Sequence, residues 1–446
     1  MRTLPFIIAL SIGGLSFAQE AAPAAASIKP AMPDYNKMSE EEKGQAYNEC
    51  VEKIMIDQST LNKEEFAKLV ALADSNYAQA VDTLAACYLD GVGVAADEKK
   101  AFELYNKAAT LGHAPSAHQL VNFLLTGTGC DPDAARAVRV LQQLITVKKN
   151  FSAAATLGDL YLSGSFGYED YVAAAAWYQY GMLNGNNTSC LKYATCLIEG
   201  TGVTQDIAKG TKILQQLIDE KKDGAACRAM GLLYWRGIGV EKNQQEAMAW
   251  FRKGAGMGDI DASRSLGIAY RDAEGELRKP SIALSILTDL SYNGDTSAML
   301  SAAEMLLTDN SGVKKDVKKA YKLLEMGMQE GDLDCSMRLG KGLYYGTDGE
   351  KDIKKGLEII SLCAEQGSEE AALIVVEALR TGENDQKTAD PKQAHEVLLQ
   401  LDAQGSTRAP YELYLDFKEG RGVEVNPAKA EEFLRKAKEL NDPRAQ

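Results

Sequence analysis

A short sequence fragment recurs ten times along this 446-residue chain at nearly constant spacing. Its clearest copies run from Leu84 to Val94 and from Met230 to Val240, and each ends in Gly-x-Gly-Val. The positions equivalent to the first glycine are 91, 127, 164, 200, 237, 273, 309, 346, 382 and 420. A period of 36 to 38 residues predicts a stack of repeated helical units rather than one globular core.

Each repeat is predicted to contain two helices, called here helix A and helix B. In the first repeat, Ala80, Leu84 and Tyr88 lie on one helical face, and Gly91 supplies the left-handed conformation that ends helix A. The apolar stripe of helix B begins with a small residue ten positions after that glycine. Four residues before this position stands an N-cap residue in nine repeats: Asp97, Asp133, Asp170, Asp206, Asn243, Asp316, Asp352, Asp390 and Asn426. Lys279 is the exception.

The segments before the repeats predict export. Residues 1–18 combine Arg2, a short apolar run and a small-x-small ending, which is typical of a secretory signal peptide rather than an anchor helix. Residues 19–36 are rich in Ala and Pro and are predicted to form a disordered linker. Residues 37–76 predict a capping helix pair, with helices opening at Ser39 and Asn62, and residues 77–446 form the repeats. We therefore expect a periplasmic or secreted protein without stable membrane insertion after cleavage.

The net charge limits the kinds of partner that the chain can bind, and the cysteine positions indicate which disulfides are possible. The chain has 49 basic and 63 acidic residues, a formal net charge of −14, which disfavours nucleic-acid binding. The eight cysteines mostly occupy core positions of the repeat. Cys335 and Cys363 lie on antiparallel neighbouring helices, so a disulfide between them is left open.

The repeat pattern resembles the Sel1-like repeat family, a relative of tetratricopeptide repeats. The shared pattern is Leu-Gly-x-x-Tyr-x-x-Gly-x-Gly-Val, followed by Asp-x-x-x-Ala and a second aromatic and Ala-rich stripe. The resemblance covers residues 78–446 and weakens in repeats six and seven, where Ala273 and Asp309 replace the first glycine. It implies an all-α fold, a right-handed superhelical solenoid of about ten antiparallel helix pairs plus the N-terminal pair. It also implies a non-enzymatic adaptor that binds other proteins.

Sequence motifs for catalysis, cofactors and metals are weak. His113 and His118 do not form a metal-ligand set, and no cofactor or metal is predicted. The Ser-x-x-Lys sequence at Ser311 to Lys314 lacks the partner motifs of serine β-lactamases. Some exported members of the resembled family are cysteine-rich and linked to β-lactam binding. Cys190 and Cys227 match only half of their cysteine pairing, so this function is kept as an alternative.

The predicted partner-binding surface is the concave face lined by helix A. By analogy with tetratricopeptide repeats, the exposed positions there carry an unusual set of basic and aromatic residues: Arg228, Trp235, Arg236, Arg264, Arg271, Lys341, Tyr344 and Tyr345. Arginine binds carboxylates through two parallel hydrogen bonds, so this surface predicts an acidic peptide segment or another protein as partner. Two alternatives stay open. The basic residues could pair with nearby Asp and Glu, and the aromatic residues could bind peptidoglycan or another glycan.

Overall fold

The structure is a computed structural model that describes residues 33–56, 63–164, 169–349, 351–383 and 389–445. Within these ranges the chain is all-helical, with 22 α-helices and no strand. It divides into two compact units, which in the described residues are 33–242 and 243–445. The predicted signal peptide, most of the predicted linker and the predicted cap Asn62 lie outside the described residues.

The first unit holds the N-terminal helix pair and the helices up to that of repeat five. Consecutive helices pack against each other along the unit. They are α1 (Glu40–Ile56), α2 (Lys63–Asp74), α3 (Ala78–Asp90), α4 (Glu98–Thr110), α5 (Ala114–Thr126), α6 (Ala134–Thr146), α7 (Ser152–Leu162), α8 (Tyr171–Leu183), α9 (Asn187–Glu199), α10 (Ile207–Lys221) and α11 (Gly224–Arg236).

The second unit continues the alternation of helix B and helix A. Its helices are α12 (Gln244–Gly256), α13 (Ile260–Asp272), α14 (Pro280–Tyr292), α15 (Thr296–Leu307), α16 (Val317–Gln329), α17 (Leu333–Tyr345), α18 (Ile353–Glu365), α19 (Glu369–Thr381), α20 (Pro391–Ala403), α21 (Ala409–Glu419) and α22 (Pro427–Glu439). Small residues on facing helices, such as Ala298, Ala302 and Ala320, are fully buried and let the helices approach closely.

Part of the segment predicted as linker is helical in the described residues. Tyr35 lies in a short 3-10 helix, Tyr35–Lys37, although its position falls within the segment predicted as linker. Its ring is buried in a core with Cys50 and Leu69. The predicted capping box is present, because the Ser39 amide donates to Glu42 at 2.7 Å and the Glu42 amide donates to the Ser39 hydroxyl at 3.3 Å.

The predicted caps of helix B are confirmed in all nine repeats that carry them. Each Asp or Asn side chain accepts a hydrogen bond from the amide three residues later, at 2.8 to 3.1 Å. Lys279 adopts the same backbone conformation before α14 but makes no side-chain cap.

Helix A carries a second set of caps that the sequence analysis did not predict. The capping side chains accept from the amide three residues later in seven repeats: His113, Asn186, Asp223, Asp259, Asp295, Asp332 and Ser368. Six of them directly follow a glycine with positive φ that ends the preceding helix B, as Asp259 follows Gly258. In six of the ten repeats both helix starts are thus capped by side chains.

The two degenerate repeats have loops of different geometry. Ala273 is extended, with φ −63° and ψ 159°, and a 3-10 helix, Gly275–Leu277, replaces the usual turn. In repeat seven α15 ends at Leu307, and Asn310 adopts the positive φ of 64° that glycine supplies elsewhere. These two loops lie next to each other at the candidate site described below.

All eight cysteines are free thiols. The disulfide left open between Cys335 and Cys363 is not formed. Cys335 lies at the start of α17 beside Gly327, and burial raises the pKa of its thiol to about 12. Cys363 is also buried, and burial raises its pKa to about 11. The two thiols are core residues with low reactivity at neutral pH.

A buried polar network between α16, α17 and the loop after α17 requires a glycine. Asp348 is buried and accepts two hydrogen bonds from Arg338 at 2.9 Å and one from the Tyr321 hydroxyl at 3.2 Å. A methyl group added at Gly342 would overlap the Asp348 carboxylate and would lie 2.8 Å from the Tyr321 hydroxyl. The network therefore fits only because Gly342 has no side chain.

We expect Lys279→Asn to stabilise the protein relative to Lys279→Gln. Both changes remove the same charge, but only Asn at this backbone geometry caps α14, by about 1 kcal/mol. Urea denaturation would measure the difference in the free energy of unfolding. Equal midpoints for the two variants would show that α14 gains nothing from a cap.

We expect Gly342→Ala to destabilise the protein by about 1–3 kcal/mol, because the added methyl overlaps the Asp348 network. Gly256→Ala is the matched control, since a methyl there meets open space at the end of α12. It should be neutral or slightly stabilising. The same loss of unfolding free energy in both variants would contradict the packing argument.

Candidate partner-binding site

The eight residues predicted to bind a partner lie on three A helices. Arg228, Trp235 and Arg236 are on α11 in the first unit. The other five are in the second unit, with Arg264 and Arg271 on α13 and Lys341, Tyr344 and Tyr345 on α17. Each group is described within its own unit.

The α11 group presents a basic and aromatic surface. Arg228 and Trp235 are half-buried, and they lie seven residues apart, which places them on one face of the helix. Arg236 is exposed at the last position of α11. Trp and Arg side chains are both frequent at the centres of protein interfaces.

Arg264 is bound by carboxylates of its own chain. Its Nε donates to Asp295 at 2.8 Å, and its guanidinium also pairs with Asp261. Burial lowers the pKa of Arg264, but the bonds and charges of Asp295 and Asp261 outweigh this and raise it above the ordinary value. Because Asp295 also caps α15, Arg264 stabilises the start of the next helix A.

Arg271 forms a planar double hydrogen bond with its neighbour. Its Nε donates to one Asp272 oxygen at 2.7 Å and its terminal nitrogen donates to the other at 2.9 Å. These bonds raise the pKa of Arg271 more than burial lowers it, and the charge of Glu304 adds to the rise. The Asp272 side chain is 44% exposed, so this pair stands at the surface.

The α17 group is divided between surface and core. The Lys341 ammonium donates to Glu370 at 2.8 Å. Tyr345 is 47% exposed, whereas Tyr344 is only 5% exposed and belongs to the hydrophobic core, contrary to the exposure expected from its position. Burial raises the pKa of Tyr344 to about 12. The two rings meet edge to face with centroids 4.9 Å apart.

An open cleft of about 310 Å³ lies beside Arg271 in the second unit. Its walls come from the end of α13, from α15 and from the loops of the two degenerate repeats. Charged side chains of both signs line it, namely Arg271, Asp272, Arg278 and Glu304. The polar residues Thr308, Asn310 and Ser311 complete the other wall.

Arg278 is the residue of this cleft that the sequence analysis missed. Its Nε donates to the Arg271 carbonyl oxygen and a terminal nitrogen donates to the Ser311 carbonyl oxygen, both at 3.1 Å. These acceptors are neutral, and no described carboxylate lies within ion-pair distance of Arg278. The side chain is exposed. The guanidinium is therefore held in place by neutral acceptors, without an ion-pair partner among the described residues.

The described residues lack two other kinds of functional feature. No group of three or more His, Cys, Asp or Glu side chains there is arranged to hold a metal ion. Nor does any described helix combine the length and apolarity needed to cross a bilayer.

Several solved structures resemble the chain at low sequence identity. A protective antigen of uropathogenic Escherichia coli with an SLR fold is 22% identical and has a TM-score of 0.42, over 90% of this chain and 87% of that one. A Sel1 repeat protein from Oxalobacter formigenes is 19% identical with a TM-score of 0.46, over 73% and 91%. Yeast Tom70 is 12% identical with a TM-score of 0.32, over 83% and 86%.

The Sel1 repeat pattern matches seven segments, which together cover just over half of the chain. They are residues 83–113, 152–186, 188–220, 224–259, 296–332, 334–368 and 417–442. The matched segments leave out residues 260–295, which contain degenerate repeat six and Arg278. With this extent of match and an all-helical repeat structure, the chain belongs to the Sel1 repeat family.

Proposed function

We propose that this protein is an exported, non-enzymatic scaffold that binds an acidic segment of another protein. Sel1 repeat proteins are typically protein-interaction scaffolds. The observation that carries the proposal is Arg278, an exposed arginine fixed by two carbonyl oxygens at the edge of the cleft. Export rests on the sequence of residues 1–18.

Arg278 is suited to receive a carboxylate from a partner. A guanidinium has five N–H donors, and the two bonds to carbonyl oxygens leave donors for a planar, two-bonded contact. Because the side chain is already ordered, little conformational entropy is lost when a partner binds.

Arg271 is suited to join the same contact. Its present partner Asp272 is at the surface, where an ion pair contributes only about 0–1 kcal/mol. Exchange of Asp272 for a partner carboxylate therefore costs little. Arg264 and Lys341 are not assigned to the partner contact, because each already pairs with a carboxylate from the next repeat.

The α11 residues offer a second contact in the first unit. Trp235 supplies flat apolar area, and Arg228 and Arg236 supply charge on the same helix. A partner that engages this helix would use the aromatic ring as an anchor.

The alternatives from the sequence have less support. A glycan platform was predicted to use Trp235, Tyr344 and Tyr345, but the Tyr344 ring lies in the core. The cysteine-stapled β-lactam-binding class requires disulfides, whereas all eight thiols are free.

We expect Arg271→Ala/Arg278→Ala to weaken binding of a Glu-rich peptide about tenfold or more, through loss of charge-assisted bonds. Fluorescence anisotropy with a labelled peptide of alternating Glu and Gly would measure this, with the Gln-for-Glu peptide as the uncharged probe. The control Lys322→Ala/Lys354→Ala removes the same charge at exposed positions of the same unit.

Two results would contradict the proposal. One is equal binding of the Glu and Gln peptides, and the other is equal weakening by the cleft variant and the control. If neither result is found, a pull-down from the envelope fraction with the wild type and both variants would identify the protein whose recovery depends on the cleft.

We expect the purified protein to leave nitrocefin unhydrolysed, because the Ser311 hydroxyl at the cleft bonds to the backbone of Val313 and to no general base among the described residues. Absorbance of the hydrolysed product would be followed over hours against a serine β-lactamase as positive control. Any turnover would favour the β-lactam alternative over the scaffold. A Ser311→Ala variant would then show whether Ser311 is the nucleophile.

A further inference from the structure

A groove of about 560 Å³ in the first unit has a cationic rim. It lies among α4, α5 and α6, far along the chain from the cleft of the second unit. Its charged lining residues are Arg136, Arg139 and Lys148, and no Asp or Glu is among the described residues that line it. Three cations without a carboxylate are unexpected in a chain with a net charge of −14.

The charges of this rim are poorly compensated within the chain. Arg136 donates to the neutral Asn106 oxygen at 2.8 Å. Arg139 approaches Asp133 only at 3.8 Å, and its side chain is 62% exposed. Lys148 forms no ion pair with a described residue. The groove therefore holds net positive charge that is available to an incoming anion.

The floor of the groove is apolar. Ala117 and Leu120 from α5 are buried beneath it, and Val140 and Leu144 from α6 form one wall. Val147 stands at the rim and is 71% exposed, which leaves an aliphatic side chain in water. Covering such a surface with an apolar ligand is favourable, because it removes aliphatic surface from water.

We propose that this groove binds a small amphipathic carboxylate, with an aliphatic chain on the floor and the carboxylate against the cationic rim. The volume falls within the range of about 300–1,000 Å³ that small-molecule sites occupy. An apolar lining with a few convergent charged groups is the usual composition of such sites. The proposal is independent of the acidic-segment site, because the two share no residue.

The test uses the full chain, isothermal titration calorimetry and three probes below their micelle-forming range. Decanoate carries both features that the groove recognises, decyltrimethylammonium carries the same chain with the opposite charge, and acetate carries the charge without the chain. We expect decanoate to bind at least about tenfold more tightly than either of the others, and its affinity to fall as salt rises.

Variants locate the binding in this groove. Arg139→Ala/Lys148→Ala removes two exposed cations and is expected to weaken decanoate binding about fivefold to tenfold. Val147→Glu places a carboxylate at the exposed rim and should weaken it by at least as much. Lys99→Ala is the control, since Lys99 is exposed on α4 outside the groove lining.

Selective decanoate binding that both groove variants reduce and Lys99→Ala does not would support the proposal. Absence of decanoate binding, equal affinity for any other probe, or unchanged affinity in the groove variants would overturn it. Because the groove variants change exposed side chains, far-ultraviolet circular dichroism should show an unchanged helical fold.

Discussion

Helix capping is the interaction on which each repeat depends. Most helices here have 13 residues, a length at which an isolated helix is marginal in water. Every helix start leaves amide groups without partners, and a solenoid has two such starts per repeat. In nine repeats an Asp or Asn side chain accepts a hydrogen bond from one of these amides before helix B, and in six repeats the residue after a left-handed glycine does so before helix A. The cap residue of helix B also ties the loop down, since its own amide donates to a carbonyl near the end of helix A, as Asp97 does to Tyr88 at 2.7 Å.

How far this could be predicted from the sequence differs between the two helices. The helix B caps were predictable because Asp or Asn recurs at a fixed offset from a small residue, and a local pattern of that kind needs no knowledge of packing. The helix A caps vary between His, Asn, Asp and Ser, so they show no single residue type, although six of the seven positions could have been found as the residue that follows the terminating glycine. The predicted exposure of Tyr344 was wrong for a different reason. Exposure was transferred from tetratricopeptide geometry, whereas the ring of Tyr344 turns into the core and only Tyr345 stays at the surface.

The candidate site was only partly predictable. Arg271 was selected by its register, but Arg278 lies in a loop where the repeat pattern has degenerated, and no motif marks it. Its role depends on carbonyl oxygens of Arg271 and Ser311, seven and 33 residues away, which only the folded chain brings together. The same holds for the ion pairs. Arg264 and Asp295 are 31 residues apart, and Lys341 and Glu370 are 29 apart, so each pair joins one repeat to the next.

These separations suggest a general relation between the repeat and its charges. Stacking places side chains of neighbouring repeats against each other, so a cation on one repeat meets a carboxylate on the repeat before or after it, as Arg380 meets Glu412 at 2.7 Å and Lys355 meets Glu325 at 2.8 Å. Such pairs neutralise, within the chain, charge that would otherwise be available to a partner. Binding capacity is then expected where the period is broken or the partner residue is neutral. Arg278 in the degenerate repeat and the rim of the α4–α6 groove are two such places in the described chain. In a regular solenoid, the departures from regularity are therefore the positions at which recognition can be specific.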